Sequence, residues 1–243
     1  MNLSRKTIFI TGSSGGIGSA ICDKFIEQDC KLILTSSSLE KLEKLKSKYG
    51  NNHFYYNLNL SETDELQKSM ETISKKHKDI DIIINNAGIT DDALLLRMKY
   101  SQWNNVINTN LNSNFIIIKS ILPSMIANKS GKIIGISSVV ASTGNPGQSN
   151  YTSAKAGMVA MYKSIAREVA KRNINVNIIS PGFIISPMTD KLNETQKINI
   201  LETIPMNKFG KPSDVASLVA FLSSEDSAYI TGQNFHINGG MLM

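Results

Sequence analysis

The run TGSSGGIG, residues 11–18, constrains this chain more than any other stretch. It follows the apolar segment KTIFI and opens onto a segment, residues 17–27, with apolar positions at helical spacing. Gly12, Gly16 and Gly18 fall in a Gly-x-x-x-Gly-x-Gly pattern. Between a strand and a helix, such glycines let the backbone turn tightly and approach a pyrophosphate, whose charge the first helical N–H groups then face. A chain that starts this way is expected to continue as alternating strands and helices.

It does. KTIFI, KLILT, HFYYNL, DIIIN, KIIGIS, NVNIIS and NFHI are short, nearly continuous apolar runs. Strands buried on both faces look like this. Between them, residues 17–27, Leu39–Tyr49, 63–77, 103–127, 151–171 and 213–222 carry apolar residues three and four apart. Strand, helix, strand in repetition implies parallel strands joined by right-handed crossovers. The expected fold is α/β: a Rossmann-type, doubly wound, seven-stranded parallel sheet with helices on both faces. No repeat, linker or low-complexity segment divides the 243 residues, so one domain over 1–243 is expected. The least regular stretch, 183–211, sits where a substrate lid would sit.

Composition narrows the classes. Hydrophobic residues make up 41% and charged residues 19%, and no apolar run reaches the length of a membrane span. The N-terminus enters the first strand without room for a signal peptide, and Cys22 and Cys30 match neither a zinc pattern nor a disulfide framework. A cytoplasmic chain with reduced thiols is expected. His53, His77 and His236 are scattered, so no metal site is expected. The net charge of +6 is spread over the chain, with Lys41, Lys44, Lys46 and Lys48 reading as a solvated helix face. No basic block is interleaved with aromatics, which argues against nucleic acid.

The end of the second strand bears on the nucleotide. A cofactor with a free ribose 2′-hydroxyl usually meets an Asp or Glu there. This chain offers Thr35, Ser36, Ser37 and Ser38 before its first acid, Glu40. Hydroxyls accept a 2′-phosphate that a carboxylate would repel, which favours NADPH/NADP+ over the NAD pair.

A second constellation carries chemistry. Ser138 directly follows the fifth apolar run, so in such a sheet it faces the cleft at the strand's carboxyl end. Tyr151 and Lys155, four residues apart, share a helix face. Tyr-x-x-x-Lys alone is a weak signal. A free phenol has a pKa of about 10. A neighbouring ammonium favours the phenolate and lowers it.

In order, Thr-Gly-x-x-x-Gly-x-Gly, NNAG at 85–88, Ser138, Tyr-x-x-x-Lys and SPG at 180–182 resemble the short-chain dehydrogenase/reductase family over the whole chain. NNAGITDDALLLRM, GNPGQSNYTSAKAG, PGFI and YITGQNFHINGGMLM are similar to its bacterial ketoreductases of fatty acid elongation. That resemblance implies NADPH-dependent reduction of 3-oxoacyl groups on acyl carrier protein. Tyr151 is then the general acid, Ser138 the hydrogen-bond partner of the carbonyl oxygen, and Lys155 the tuner of Tyr151 and holder of the nicotinamide ribose. Asn110 would position a water in a proton relay behind the lysine. The implied cofactor contacts are Gly12, Ser13, Ser14, Gly16, Ile17, Gly18, Ser36, Ser37, Asn59, Leu60, Asn86, Ala87, Gly88, Tyr151, Lys155, Pro181, Gly182, Ile184 and Ser186. Lys129 and Arg172 would dock the acidic carrier protein near the cleft entrance. A homotetramer is implied, with the helices carrying Asn110 and Tyr151 at one interface and GGMLM at another.

The chain departs from the family pattern in two places. Gly15 stands where relatives that use NADPH often carry a basic residue, and Ser186-Pro187-Met188 replaces the more usual Thr-x-Met. Two rival readings remain. One is the same chemistry on acetoacetyl-CoA or another small ketone. The other is a cofactor-binding regulator without catalysis, against which the intact Asn110, Ser138, Tyr151 and Lys155 argue.

Overall fold

The computed structural model describes residues 3–186 and 193–243. Seven strands form one sheet in the order β3-β2-β1-β4-β5-β6-β7, and every neighbouring pair is parallel. The strands are β1 Thr7–Ile10, β2 Lys31–Ser36, β3 Phe54–Asn57, β4 Ile80–Asn85, β5 Gly131–Ile136, β6 Ile174–Pro181 and β7 Asn234–Ile237. The expected fold class is what the structure shows.

Side chains alternate across each strand, and the two cores follow from that. In β1, Ile8 and Ile10 join Phe25 of α1 (Gly16–Ile26) and Val215 and Val219 of α9 (Pro212–Ser223). Phe9 points the other way, into a cluster with Met70 of α3 (Thr63–Lys76), Ile117 of α5 (Ser113–Asn128) and Met158 of α7 (Ser149–Val169). The remaining helices are α2 (Leu39–Tyr49), α4 (Tyr100–Ile107), the short α6 (Val140–Thr143) and α8 (Glu194–Glu202).

Strand order reverses between β1 and β4, so a crevice opens beyond the carboxyl ends of these two strands. Glycines bring the walls together there. Gly12 has φ +65°, and a Cβ on it would lie 2.8 Å from the Ala87 Cα. A Cβ on Gly18 would lie 2.1 Å from the Gly12 carbonyl oxygen. Thr11 Oγ1 accepts from the N–H groups of both Asn86 and Ala87, and Asn86 Nδ2 donates to the Thr11 and Gly12 carbonyls. The glycine turn is thereby tied to the end of β4.

Two regions differ from the sequence expectation. The helix expected over 103–127 is instead α4, a π turn over Asn108–Asn112 and α5. The apolar spacing runs on through the π turn, so periodicity does not reveal it. The stretch 183–211 is not wholly irregular, because α8 lies within it. Asn193 caps that helix by accepting from the Gln196 N–H, while the Gln196 side chain accepts from the Asn193 N–H. The excursion is closed at its neck: Ile185 N–H donates to the Gly210 carbonyl at 2.8 Å, and Gly210 N–H to the Phe183 carbonyl at 3.0 Å. Pro187 and Met188 lie outside the described residues.

Candidate active site

Two cavities meet at the crevice. One of about 480 Å³ runs along the glycine turn, the end of β2 and residues 58–61. The other, about 600 Å³, is lined by Ser138, Tyr151 and Lys155 and by residues 181–184 after β6. Ile17, Asn86, Gly88, Ile89 and Ser186 line both, so the two are continuous.

Of the residues expected to hold the cofactor, Gly12, Ser14, Gly16, Ile17, Gly18, Ser36, Ser37, Asn59, Leu60, Asn86, Ala87 and Gly88 line the first cavity. Tyr151, Lys155, Pro181, Gly182, Ile184 and Ser186 line the second. Ser13 lines neither. It is fully buried; its Oγ donates to the Ile10 carbonyl and accepts from Thr35 N–H, so it braces β1 against β2. The chain fits a dinucleotide on structural grounds. The first turn of α1 carries no acidic residue, and a Cβ on Gly16 would find only Pro212, 4.0 Å away. That leaves an open, electropositive helix end for a pyrophosphate.

Lys41 also lines the first cavity, beside Ser14, Ser36 and Ser37, and no Asp or Glu among the described residues does. The sequence spacing places Lys41 on a solvated helix face, and the structure puts it on the cavity wall. The nearest acid in sequence, Glu40, is turned to Lys44 Nζ at 2.6 Å. Lys41 makes no ion pair among the described residues. Its position three residues past the Ser38 cap is the signal that could have found it.

At the other cavity, Ser138 and the Tyr151 side chain line the same wall. Burial pushes the Tyr151 phenol above its ordinary pKa, the Ser138 hydroxyl pulls it down, and the charge of Asp92 raises it. Lys155 is 3% exposed, and its Nζ donates to the Ile136 carbonyl at 2.7 Å. Burial lowers its pKa to about 8. The Nζ stands 5.7 Å from the centre of the Tyr151 ring. Burial, and not the expected lowering by the Lys155 ammonium, sets the direction of the Tyr151 shift.

Asn110 sits in the π turn, fully buried. Its Nδ2 donates to the Ile89 and Val106 carbonyls at 2.9 Å each, and its Oδ1 accepts from Ile89 N–H at 3.1 Å. It lines neither cavity, but it holds the loop after β4 next to Lys155. Gly88 lies between the two: a Cβ there would be 2.6 Å from Asn110 Oδ1 and 3.3 Å from Lys155 Nζ.

Lys129 and Arg172 are exposed, but they are not at the entrance of this cleft. Lys129 ends α5 just before β5, and Arg172 just precedes β6. The cleft lies at the carboxyl ends of those strands. A parallel strand carries the chain about 3.3 Å per residue away from its start, so both cations sit at the opposite edge of the sheet. No group of His, Cys, Asp and Glu suited to a metal occurs among the described residues, and no helix among them is long and apolar enough to cross a membrane.

Comparison with known proteins agrees with this arrangement. The family model described as enoyl-(acyl carrier protein) reductase matches residues 12–242. A 3-oxoacyl-[acyl-carrier-protein] reductase of Buchnera aphidicola is 46% identical over 243 residues, covering 100% of both chains. The protein of that name from Rickettsia bellii is 46% identical over 100% of this chain and 99% of its own. The one from Vibrio harveyi is 42% identical over 100% of both. With the glycine turn, the seven-stranded sheet and the Ser138, Tyr151 and Lys155 cavity, these matches make the chain a member of the short-chain dehydrogenase/reductase family.

Proposed function

We propose that this chain reduces the ketone of 3-oxoacyl-[acyl-carrier-protein] to the 3-hydroxyacyl product in fatty acid elongation, using NADPH. The observation that carries the reading is that the cavity lined by Ser138, Tyr151 and Lys155 is continuous with the cavity along the glycine turn. Full-length relatives that carry this reaction in their names support it.

When bound, the nicotinamide nucleotide supplies the hydride. The chain does the rest. Tyr151, its pKa raised by burial, stays protonated at neutral pH and can donate to the carbonyl oxygen. Ser138 offers that oxygen a hydrogen bond as charge develops. Lys155, charged below a pKa of about 8, holds the ribose hydroxyls and returns a proton toward Tyr151. Asn110 acts through the loop it clamps. With its side-chain donors spent on Ile89 and Val106, a water in the relay meets its Oδ1 or a backbone carbonyl. Gly12, Ser14, Gly16, Ile17, Gly18, Asn59, Leu60 and 86–88 hold the dinucleotide. Pro181, Gly182, Ile184 and Ser186 close over the nicotinamide, and 183–211 is the lid.

The preference for NADPH rests on Ser14, Ser36, Ser37 and Lys41 around a cavity end that no carboxylate of the described residues lines. A 2′-phosphate there gains hydroxyl donors and one cation, and a free 2′-hydroxyl finds no acid. Lys41 replaces the cation missing at Gly15.

The carrier-protein contact of Lys129 and Arg172 requires a second copy of the chain, because both cations face away from their own cleft. A homotetramer in the cytoplasm fits that requirement. Turnover of NADPH with a 3-oxoacyl thioester is the test. No oxidation of NADPH in the presence of that substrate would remove the assignment.

A further inference from the structure

Ser138 and Tyr151 both serve one oxygen. A 3-oxoacyl thioester has two, the ketone that is reduced and the thioester carbonyl one carbon away. The cavity that holds Ser138 and Tyr151 is also lined by Gln148, which no step above uses. Gln148 is the N-cap of α7, three residues before Tyr151, and lines the same cavity wall.

The Gln148 amide is locked. Its Oε1 accepts from Asn145 Nδ2 at 3.0 Å, and its Nε2 donates to Asp92 Oδ2 at 2.9 Å. A flipped amide would set its oxygen against the Asp92 carboxylate, so the charge decides the orientation. Asp92 makes no ion pair among the described residues. The loops themselves are stitched together: Ala93 N–H donates to the Gly147 carbonyl at 2.9 Å, and the fully buried Asn150 donates to the Asp91 carbonyl at 3.0 Å. An amide nitrogen carries two N–H groups. One serves Asp92, and the other has no partner among the described residues.

We infer that Gln148 binds the second carbonyl of the substrate through this remaining N–H, so that the cavity selects neutral 1,3-dicarbonyl substrates over simple ketones. The inference rests on the function proposed above. Ser138 and Tyr151 take the ketone oxygen, and Gln148, on the wall of the same cavity, takes the thioester oxygen and fixes which carbonyl meets the hydride. Asp92 adds discrimination, because its negative charge beside that subsite disfavours a free 3-oxo acid.

The test compares two substrates in the wild type and in Gln148→Leu with NADPH: acetoacetyl-N-acetylcysteamine, which has both carbonyls, and 1-decalone, which has one. The expected result is a fall of about tenfold in the ratio of kcat/KM for the thioester over that for the monoketone, the worth of one hydrogen bond. An unchanged ratio overturns the inference, whether both substrates suffer equally or neither does. Damage to the loop would lower both rates alike and so count against it. Asp92→Asn, which frees the amide to flip, is the second variant and should lower the same ratio by a smaller factor. If 1-decalone binds without turning over, its inhibition constant against the thioester replaces its kcat/KM. Wild-type failure on the thioester would instead strike the function, and the inference with it. A working wild type with an unchanged ratio strikes the inference alone.

Discussion

Lys155 Nζ donates to the backbone carbonyl of Ile136 at 2.7 Å, and this bond fixes the ammonium at the end of β5, two residues before Ser138. The same burial that makes the contact lowers the Lys155 pKa to about 8.

That value sets a pH profile. Reduction needs Tyr151 protonated and Lys155 charged, and both forms are lost as pH rises. Lys155 is lost first, because burial raises Tyr151. The rate of ketone reduction should be flat on the acid side of neutrality and fall with a midpoint near 8. A profile that stays level to the ordinary range of a phenol would show that Lys155 does not set it.

The lysine should also cost stability. An ordinary lysine titrates at about 10.4, so between a pKa of about 8 in the folded chain and that value the unfolded chain binds more protons. Stability from this group therefore rises with pH across that window, and the penalty is fully present below it. Lys155→Met should remove a penalty of up to roughly 3 kcal/mol, less about 1 kcal/mol for the bond to Ile136. Urea denaturation at neutral pH should show a more stable and inactive variant, with its advantage shrinking above pH 8. A variant less stable at neutral pH would mean that the Ile136 contact outweighs desolvation.

Gly88 tests whether the site depends on its spacing. A Cβ there meets Asn110 Oδ1 at 2.6 Å and Lys155 Nζ at 3.3 Å. Asn110 is held by bonds to Ile89 and Val106 and has little room to move. Gly88→Ala should cost about 1–3 kcal/mol of stability and lower kcat more than the affinity for nucleotide. Wild-type kcat in that variant would show that the π turn yields without consequence.

At the opposite end of the cleft, Lys41→Ala should weaken NADPH binding by about tenfold, the scale of a charge-assisted contact, and leave NADH binding nearly unchanged. Fluorescence titration of each nucleotide reads this without turnover. Equal effects on both would remove Lys41 from the 2′-phosphate.

The strands, both cores and the glycine turn were legible because burial leaves a period in the sequence. Residues whose roles depend on what the backbone does beyond that period were not. Ser13 reads like its neighbour Ser14, yet its hydroxyl bridges β1 and β2. Lys41 sits at an exposed helical position, and only the fold of β2 toward the glycine turn brings it to the cavity. Lys129 and Arg172 precede strands whose direction carries the site to the other edge, a fact of topology and not of spacing. The α8 helix was missed because its apolar pattern is weak, although Asn193 and Gln196 mark its start.

Tyr162 supplies a last test, of the core under the site. Its ring fills the space over Gly135, where a Cβ would lie 2.7 Å from the Tyr162 Cε1. Its hydroxyl is fully buried, accepts from Asn85 Nδ2 at 2.8 Å and donates to Asn114 Oδ1 at 3.0 Å. Asn114 Nδ2 in turn donates to the Asn110 carbonyl at 3.0 Å. Tyr162→Phe keeps the ring and strands two buried amides, one of which, Asn85, already has an Oδ1 without a partner. The expected loss is about 1–3 kcal/mol, the cost of unpaired buried polar groups. Converting Asn85 and Asn114 to Leu in the Phe variant should recover part of it, because a satisfied network and an apolar core both beat a half-satisfied one. Thermal denaturation of the single and triple variants decides, and a Phe variant as stable as the parent would show that water replaces the hydroxyl.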